Sequence, residues 1–152
     1  MPATFSGQAD PPLHEPEDGT ILATMRIEIT SVFVDDQAKA LDFYTTKLGF
    51  ELKNDVSAGE YRWLTVVDPE NPNGVQLLLE PNQHPDATTY QAGIKRDGIP
   101  ATQFFVDDLQ AEFDRLKAAG VEFVMAPTDI GPSVIAMLDD TVGNLIQIVQ
   151  LK

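Results

Sequence analysis

The 152-residue chain has no cysteine, two histidines, one tryptophan, and ten Lys or Arg against 24 Asp or Glu. Each scarcity removes a class of function. Without cysteine there are no disulfides, thiolate nucleophiles or cysteine-held metals, which fits a reducing cytoplasm. A formal charge of -14 leaves no clustered cations to displace counterions from nucleic acid or to hold an anionic membrane. No apolar run approaches the ~18 residues of a membrane span, and the first residues lack the basic start and apolar core of a secretory signal. His14 and His84 are the only histidines, so no zinc-type pair at short spacing exists. A phosphate-cradling glycine loop, a dinucleotide fingerprint, a serine elbow and a calcium loop are all missing as well.

What the chain does have is a repeat. VDDQAKALDFYTTKLGFEL (34–52) returns in degraded form as VDDLQAEFDRLKAAGVEF (106–123). Val34, Asp35 and Asp36 fall on Val106, Asp107 and Asp108 at an offset of 72; after one residue is lost in the helix, an offset of 71 carries Gly49 to Gly120 and Glu51 to Glu122. Held to the end, 71 pairs Leu64 with Ile135, Val66 with Met137, Asp68 with Asp139 and Gln76 with Gln147. One offset kept through helix, strand and turn points to two copies of one supersecondary unit.

Residues 1–24, rich in proline and acid with no Lys or Arg, read as a disordered or loosely docked extension. From Arg26 the alternation of IEITSVFV predicts a strand, with Ile29, Ser31 and Phe33 on one face and Thr30, Val32 and Val34 on the other. Asp35 or Asp36 caps a helix whose stripe is Leu41, Tyr44 and Leu48, and Gly49 ends it. Strands follow near 50–55, 61–67 and 75–80, closing a first βαβββ module over 25–80. Residues 81–99 form a linker with a short helix around 88–95. The second module, 100–152, predicts a strand at 100–106, a helix at 108–119 with Leu109, Phe113 and Leu116 inward, and strands near 121–126, 132–138 and 144–150. The fold class is α+β: neither sheet can cover both its faces alone, so two βαβββ repeats curl as mixed sheets around a central cavity.

Val34 to Asp36 before the helix, Phe43 to Phe50 at its end (F-Y-x-x-x-L-G-F), and Asp139 to Asn144 before the last strand (D-D-T-x-G-N) resemble the vicinal oxygen chelate superfamily of glyoxalases, bleomycin-resistance proteins and extradiol dioxygenases. The resemblance implies a homodimer and, in the enzymes, a divalent metal held by one side chain from the first and last strand of each module. Carried onto this chain, those four positions are Ile29, Gln76, Ala101 and Gln147, of which two cannot ligate and two are neutral amides. The expectation is therefore a protein without metal or other cofactor that sequesters a small organic molecule, a resistance-type binder. A metal-dependent lyase, isomerase or dioxygenase, and a structural or regulatory dimer module, are the alternatives.

The candidate ligand-binding residues are Ser31, Phe33, Trp63, Gln76, Gln103, Phe105 and Gln147. Gln76 and Gln147 either face each other across the cavity to hold a polar ligand group, or bond to one another or to water. Trp63, Phe33 and Phe105 offer flat rings for stacking, although packing is the commoner fate of such residues. Glu80, two steps beyond Leu78 on the face of Gln76, is the one candidate general base, against its plain reading as a charge at a strand end. Arg62 falls near the cavity mouth, and His84 in the linker. Asp68, Asp139, Asp140, Thr141 and Asn144 read as turn chemistry.

Overall fold

A computed structural model of the chain describes residues 18–19 and 25–152. The expected extension over 1–24, with His14, lies outside the described residues apart from Asp18 and Gly19. From Ile29 onward the order of elements is β1 (Ile29–Val34), α1 (Gln37–Asp42) running on into a π-helical turn (Phe43–Lys47), β2 (Glu51–Ala58), β3 (Tyr61–Val67), β4 (Gln76–Pro81), α2 (Pro85–Arg96), β5 (Thr102–Phe105), α3 (Leu109–Ala118), β6 (Phe123–Asp129), β7 (Ser133–Asp139) and β8 (Leu145–Leu151). The strands make two four-stranded sheets of the same order, β1-β4-β3-β2 and β5-β8-β7-β6. In each, the first strand pairs with the last in parallel and the other neighbours are antiparallel. The sheets form no closed barrel.

The repeated motif sets the local structure as its chemistry requires. Asp36 and Asp108 are the N-caps, accepting from the amides of Lys39 and Ala111, and Gly49 and Gly120 stop the helices at φ 86° and 87°, which a residue with a Cβ resists. Two expectations shift. The linker helix is longer than 88–95 because His84 caps it, its Nδ1 accepting from the Asp86 amide at 3.1 Å. In α1 and the turn that follows, the buried residues are Ala40, Phe43 and Tyr44, while Leu41 and Leu48 are only half-buried. The π-helical turn widens the last stretch and shifts its phase, which a 3.6-residue period does not anticipate.

One core serves both modules. Val32, Val34, Tyr44, Leu64, Val66, Leu77 and Leu79 of the first pack in the same cluster as Leu109, Leu116, Ala136, Leu138, Ile146 and Ile148 of the second. The Tyr44 and Phe50 rings meet Phe104 edge-on at 6.4 and 5.0 Å, and Lys47 donates to the Ala119 carbonyl at 2.6 Å. The modules thus join through their helix-side faces, and the concave faces of the sheets are turned outward. Phe105 is 60 % exposed, Val56 58 % and Trp63 43 %.

The strand pairing corrects the register of the repeat. Ser31 and Gln103, 72 apart, stand beside Leu78 and Gln147, which are 69 apart. Thr65 pairs with Leu78, and Met137 with Gln147. The equivalences are therefore Thr65 with Met137, Leu78 with Gln147 and Gln76 with Leu145. Gln76 and Gln147 are not counterparts, nor are Leu64 and Ile135, whose faces differ. Both modules also carry a bulge at the same point of their second strand, between Leu52 and Asn54 and between Phe123 and Met125. The second module alone has a further bulge between Met125 and Thr128, whose extra residue takes the offset from 71 to 72.

Candidate functional site

Three places could in principle hold a ligand or do chemistry: the two outward concave faces, a crevice between the modules, and a buried polar network. Among the described residues the network is the largest group of interacting polar side chains. Tyr44 Oη donates to Asp140 Oδ2 at 2.7 Å, as does Asn144 Nδ2 at 2.7 Å, while the amides of Val142 and Asn144 donate to Oδ1 at 3.0 and 2.9 Å. Asn144 Nδ2 also reaches the Phe33 carbonyl at 2.7 Å, and Gln91 Nε2 donates to that carbonyl at 2.9 Å and to Asn144 Oδ1 at 3.1 Å. Asn82 completes the chain by donating to Gln91 Oε1 at 2.7 Å. Burial pushes the Asp140 carboxyl up from its ordinary range, against the pull of those four hydrogen bonds, and burial beside Asp140 pushes the Tyr44 phenol well above 10.0. Asp140 is fully buried with its oxygens saturated, so it offers a substrate neither access nor a free lone pair. The network ties β1, α2 and the turn before β8 together; it is structural.

Gly143 makes this closeness possible. It sits at φ 106°, and a Cβ there would lie 2.6 Å from Gln91 Nε2. Gln91 and Asn82 escaped the sequence reading because nothing distinguishes a linker amide from a solvated one. Tyr44, Asp140 and Asn144 were visible only as a stripe residue and turn residues.

The crevice has a volume of about 610 Å³ and is lined by Leu48, Phe50, Phe104, Phe105, Leu116, Leu138 and Ile148, with Asp68, Glu70, Asp107 and Glu112 among its walls. It is larger than two other cavities of about 200 and 130 Å³. Its charged side chains are all carboxylates, and of the sequence-derived ligand-binding candidates it contains Phe105 alone. Volume and hydrogen-bonding chemistry are thus in different places. Specific recognition needs a few placed polar groups on an apolar wall, and these lie on the concave faces.

On the first module's concave face, Gln76 Oε1 accepts from Thr65 Oγ1 at 2.8 Å and from Asn54 Nδ2 at 2.9 Å, and Asn54 Nδ2 also reaches Thr65 Oγ1 at 3.0 Å. Trp63 lies two residues from Thr65 on the same strand face, with Val56 as its partner. Glu80 stands beside Phe33 at the end of β4. On the second, Gln147 Nε2 donates to Gln103 Oε1 at 2.9 Å. Gln76 and Gln147 therefore bond within their own sheets and not to each other. Ser31, Phe33 and Ala101 meet around a cavity of about 130 Å³ beside Tyr90 and Ile94, too small for a drug-sized molecule. Arg62 is absent from the concave face: it shares the Leu64 side of β3 and forms a two-pronged pair with Asp55 at 2.9 and 2.6 Å. That pair holds the Asp55 carboxyl below its ordinary range.

The four metal positions do not fit a divalent ion. Ile29 stands beside Gln76 and points into the concave face; Ala101 donates its amide to the Leu145 carbonyl. If Gln147 marks the last-strand corner, its counterpart is Leu78; if Gln76 does, its counterpart is Leu145. Either choice leaves one neutral amide where three or more donors are needed. Among the described residues no group of three His, Cys, Asp or Glu is placed to hold a metal.

The family model of the Glyoxalase/Bleomycin resistance protein/Dioxygenase superfamily matches residues 26–148. The uncharacterized protein YurT of Bacillus subtilis (strain 168) is 56% identical over 126 residues, which cover 83% of this chain and 99% of YurT. Among solved structures, UcmS2 superposes with a TM-score of 0.72 at 32% identity, covering 84% of this chain and 98% of UcmS2. TnmS3, an antibiotic binding protein from Streptomyces sp. CB03234, superposes with a TM-score of 0.67 at 27% identity, covering 87% of this chain and all of TnmS3 (100%).

Proposed function

The chain belongs to the Glyoxalase/Bleomycin resistance protein/Dioxygenase superfamily, and from that premise we propose that it binds a flat, small organic molecule without a divalent metal, in a pocket completed by a second copy of itself. The observation that carries this reading is the make-up of the concave faces. Apolar and aromatic groups (Ile29, Val56, Trp63, Phe105) stand exposed there beside amides (Gln76, Gln103, Gln147), while the positions that ligate metal in the family's enzymes hold isoleucine, alanine and at most one amide. A pocket of this kind packs and orients its guest but cannot polarise it as a Lewis acid does. Among the described residues a metal-dependent lyase, isomerase or dioxygenase finds no donor set. The similarity to TnmS3, described as an antibiotic binding protein, supports the same reading.

The dimer follows from what the single chain leaves uncovered. Exposed aromatic and branched side chains gathered on one face mark an interaction surface, and a self-complementary pairing would set the first module's concave face against the second module of a partner. The cysteine-free composition supports a cytoplasmic location, and none of the described helices is long and apolar enough to cross a membrane. The test combines sedimentation equilibrium, elemental analysis of protein purified without chelator, and a thermal-shift screen of flat aromatics. The expected result is a dimer, substoichiometric metal, and stabilisation by flat aromatic compounds but not by divalent ions. A stoichiometric metal held by three or more side chains would refute the proposal.

A further inference from the structure

We infer that the cluster Asn54, Thr65 and Gln76 is a recognition subsite for a cyclic amide, reading the adjacent N–H and C=O of a lactam whose flat body lies along Trp63. This inference rests on the small-molecule reading above and specifies its ligand class.

The two modules provide the control that shows the cluster is not required by the fold. The pairings Asn54 with Thr65 and Met125 with Met137 occupy the same places in their sheets, as do Gln76 and Leu145. Where the first module has Asn, Thr and Gln, the second therefore has Met, Met and Leu, and builds the same four-stranded sheet. Asparagine in particular is poorly suited to a strand interior. Three polar residues kept together on one face, at a place the fold fills equally well with apolar ones, need another account, and ligand recognition supplies it.

The hydrogen-bond bookkeeping specifies the ligand. Gln76 Oε1 accepts two bonds and Asn54 Nδ2 donates both of its own into the cluster. That leaves Gln76 Nε2 as a free donor and Asn54 Oδ1 as a free acceptor; neither has a partner among the described residues. Turning both amides over gives an equally consistent cluster, with Asn54 Nδ2 and Gln76 Oε1 free instead. In either state one amide NH2 group and one carbonyl are presented outward. Thr65 is fully buried and Asn54 and Gln76 half-buried, so the free groups sit in a partly desolvated place where an unmatched partner is penalised. The complementary edge is a cis amide, N–H beside C=O, as in a lactam or cyclic imide. No side chain of the cluster carries charge, so the guest edge is neutral. Trp63 and Val56, paired side by side next to Thr65, supply the flat apolar surface for the rest of the molecule.

The test is equilibrium dialysis of the full chain against 2-quinolone, 1-methyl-2-quinolone and naphthalene. The three share a flat two-ring body and present, respectively, donor and acceptor, acceptor alone, and neither. The expected order is 2-quinolone tightest, with the N-methyl compound weaker by about tenfold, equivalent to about 1.4 kcal/mol, and naphthalene weaker again. Gln76→Leu, which copies the second module, should bring 2-quinolone to the level of its N-methyl analogue while leaving naphthalene binding unchanged. Asn54→Met is the second variant should the first fold poorly, with circular dichroism as the check on both. Equal binding of the two quinolones to the unaltered protein overturns the subsite and leaves the small-molecule reading standing. Failure of all three to bind the folded protein overturns both.

Discussion

Tyr44→Phe isolates one atom of the buried network that joins the modules. The lost group is the hydroxyl donating to Asp140 Oδ2 at 2.7 Å across 96 residues of chain. Tyr44 is fully buried, and phenylalanine fills the same ring volume, so the cost comes from the hydrogen bond and not from a cavity. A hydrogen bond to a charged acceptor is worth about 1.5–3 kcal/mol. Asp140 Oδ2 keeps its bond from Asn144 Nδ2, which places the expectation near the lower end, about 1.5–2 kcal/mol, or roughly 3–8 °C in Tm for a chain of this length. The pH dependence is sharper than the magnitude. Burial raises the Asp140 carboxyl in the folded state, so its contribution to stability is fully present below the unfolded value near 3.8 and is lost as pH rises through the folded value. The Tyr44 hydroxyl opposes that rise, and removing it drives the carboxyl further up. The difference in stability between the unaltered protein and the Tyr44→Phe variant must therefore be small where Asp140 is protonated and grow as pH climbs. Urea unfolding of both proteins at about pH 3.5, below the ordinary carboxyl value, and at about pH 8 reads it directly. A cost that is the same at both pH values, or below about 0.5 kcal/mol at the higher one, would refute this account of the network.

Two further substitutions test the geometry elsewhere. Gly143→Ala combines a positive φ of 106° with a Cβ placed 2.6 Å from Gln91 Nε2; it should cost about 2–4 kcal/mol in denaturant unfolding, against about 1 kcal/mol for Gly98→Ala, where φ is 74° and the space is open. Equal costs would show that the contact with Gln91 is unimportant. Arg62→Met breaks the half-exposed pair with Asp55 and should cost under about 1 kcal/mol. Because Arg62 lies on the helix side of β3, binding of flat aromatics should be unchanged; a marked loss would mean that the face assignment is wrong.

The fold was legible because its signals are local and strong. Asp36 and Asp108 cap, Gly49 and Gly120 stop, and strand alternation says which residues share a face. Register was not legible, for a reason specific to strands. Alternation has period two, so sliding a strand by two residues leaves every face assignment intact, and the repeat offset of 71 kept Gln76 opposite Gln147 on plausible grounds. The offset is 71 at the bulge (Lys53 with Val124), 72 at the third strand and 69 at the last. The candidate site suffered accordingly. Gln76 was identified as a concave-face amide but given the wrong counterpart, and Asn54 and Thr65 were overlooked although an asparagine inside a predicted strand was itself a signal. Gln91 carried no signal at all, since only folding brings α2 against β1 and the last turn.

The same register bears on how so acidic a chain would close against a copy of itself, as proposed above. At the middle of the first module's concave face stand Ile29, Ser31, Asn54, Val56, Trp63, Thr65, Gln76 and Leu78, none of them charged. The charged residues of those strands fall largely on the other face or at the ends: Asp55 and Arg62 pair on the helix side, and Glu80 sits at the far end of β4. Covering the centre of the face therefore buries no unpaired ion, the most expensive event in forming an interface. The net charge of -14 acts only at longer range, where salt screens it within about 8 Å at physiological ionic strength. Acidity thus marks the outer surface while the uncharged concave face is left open to the partner copy and the flat neutral guest proposed above.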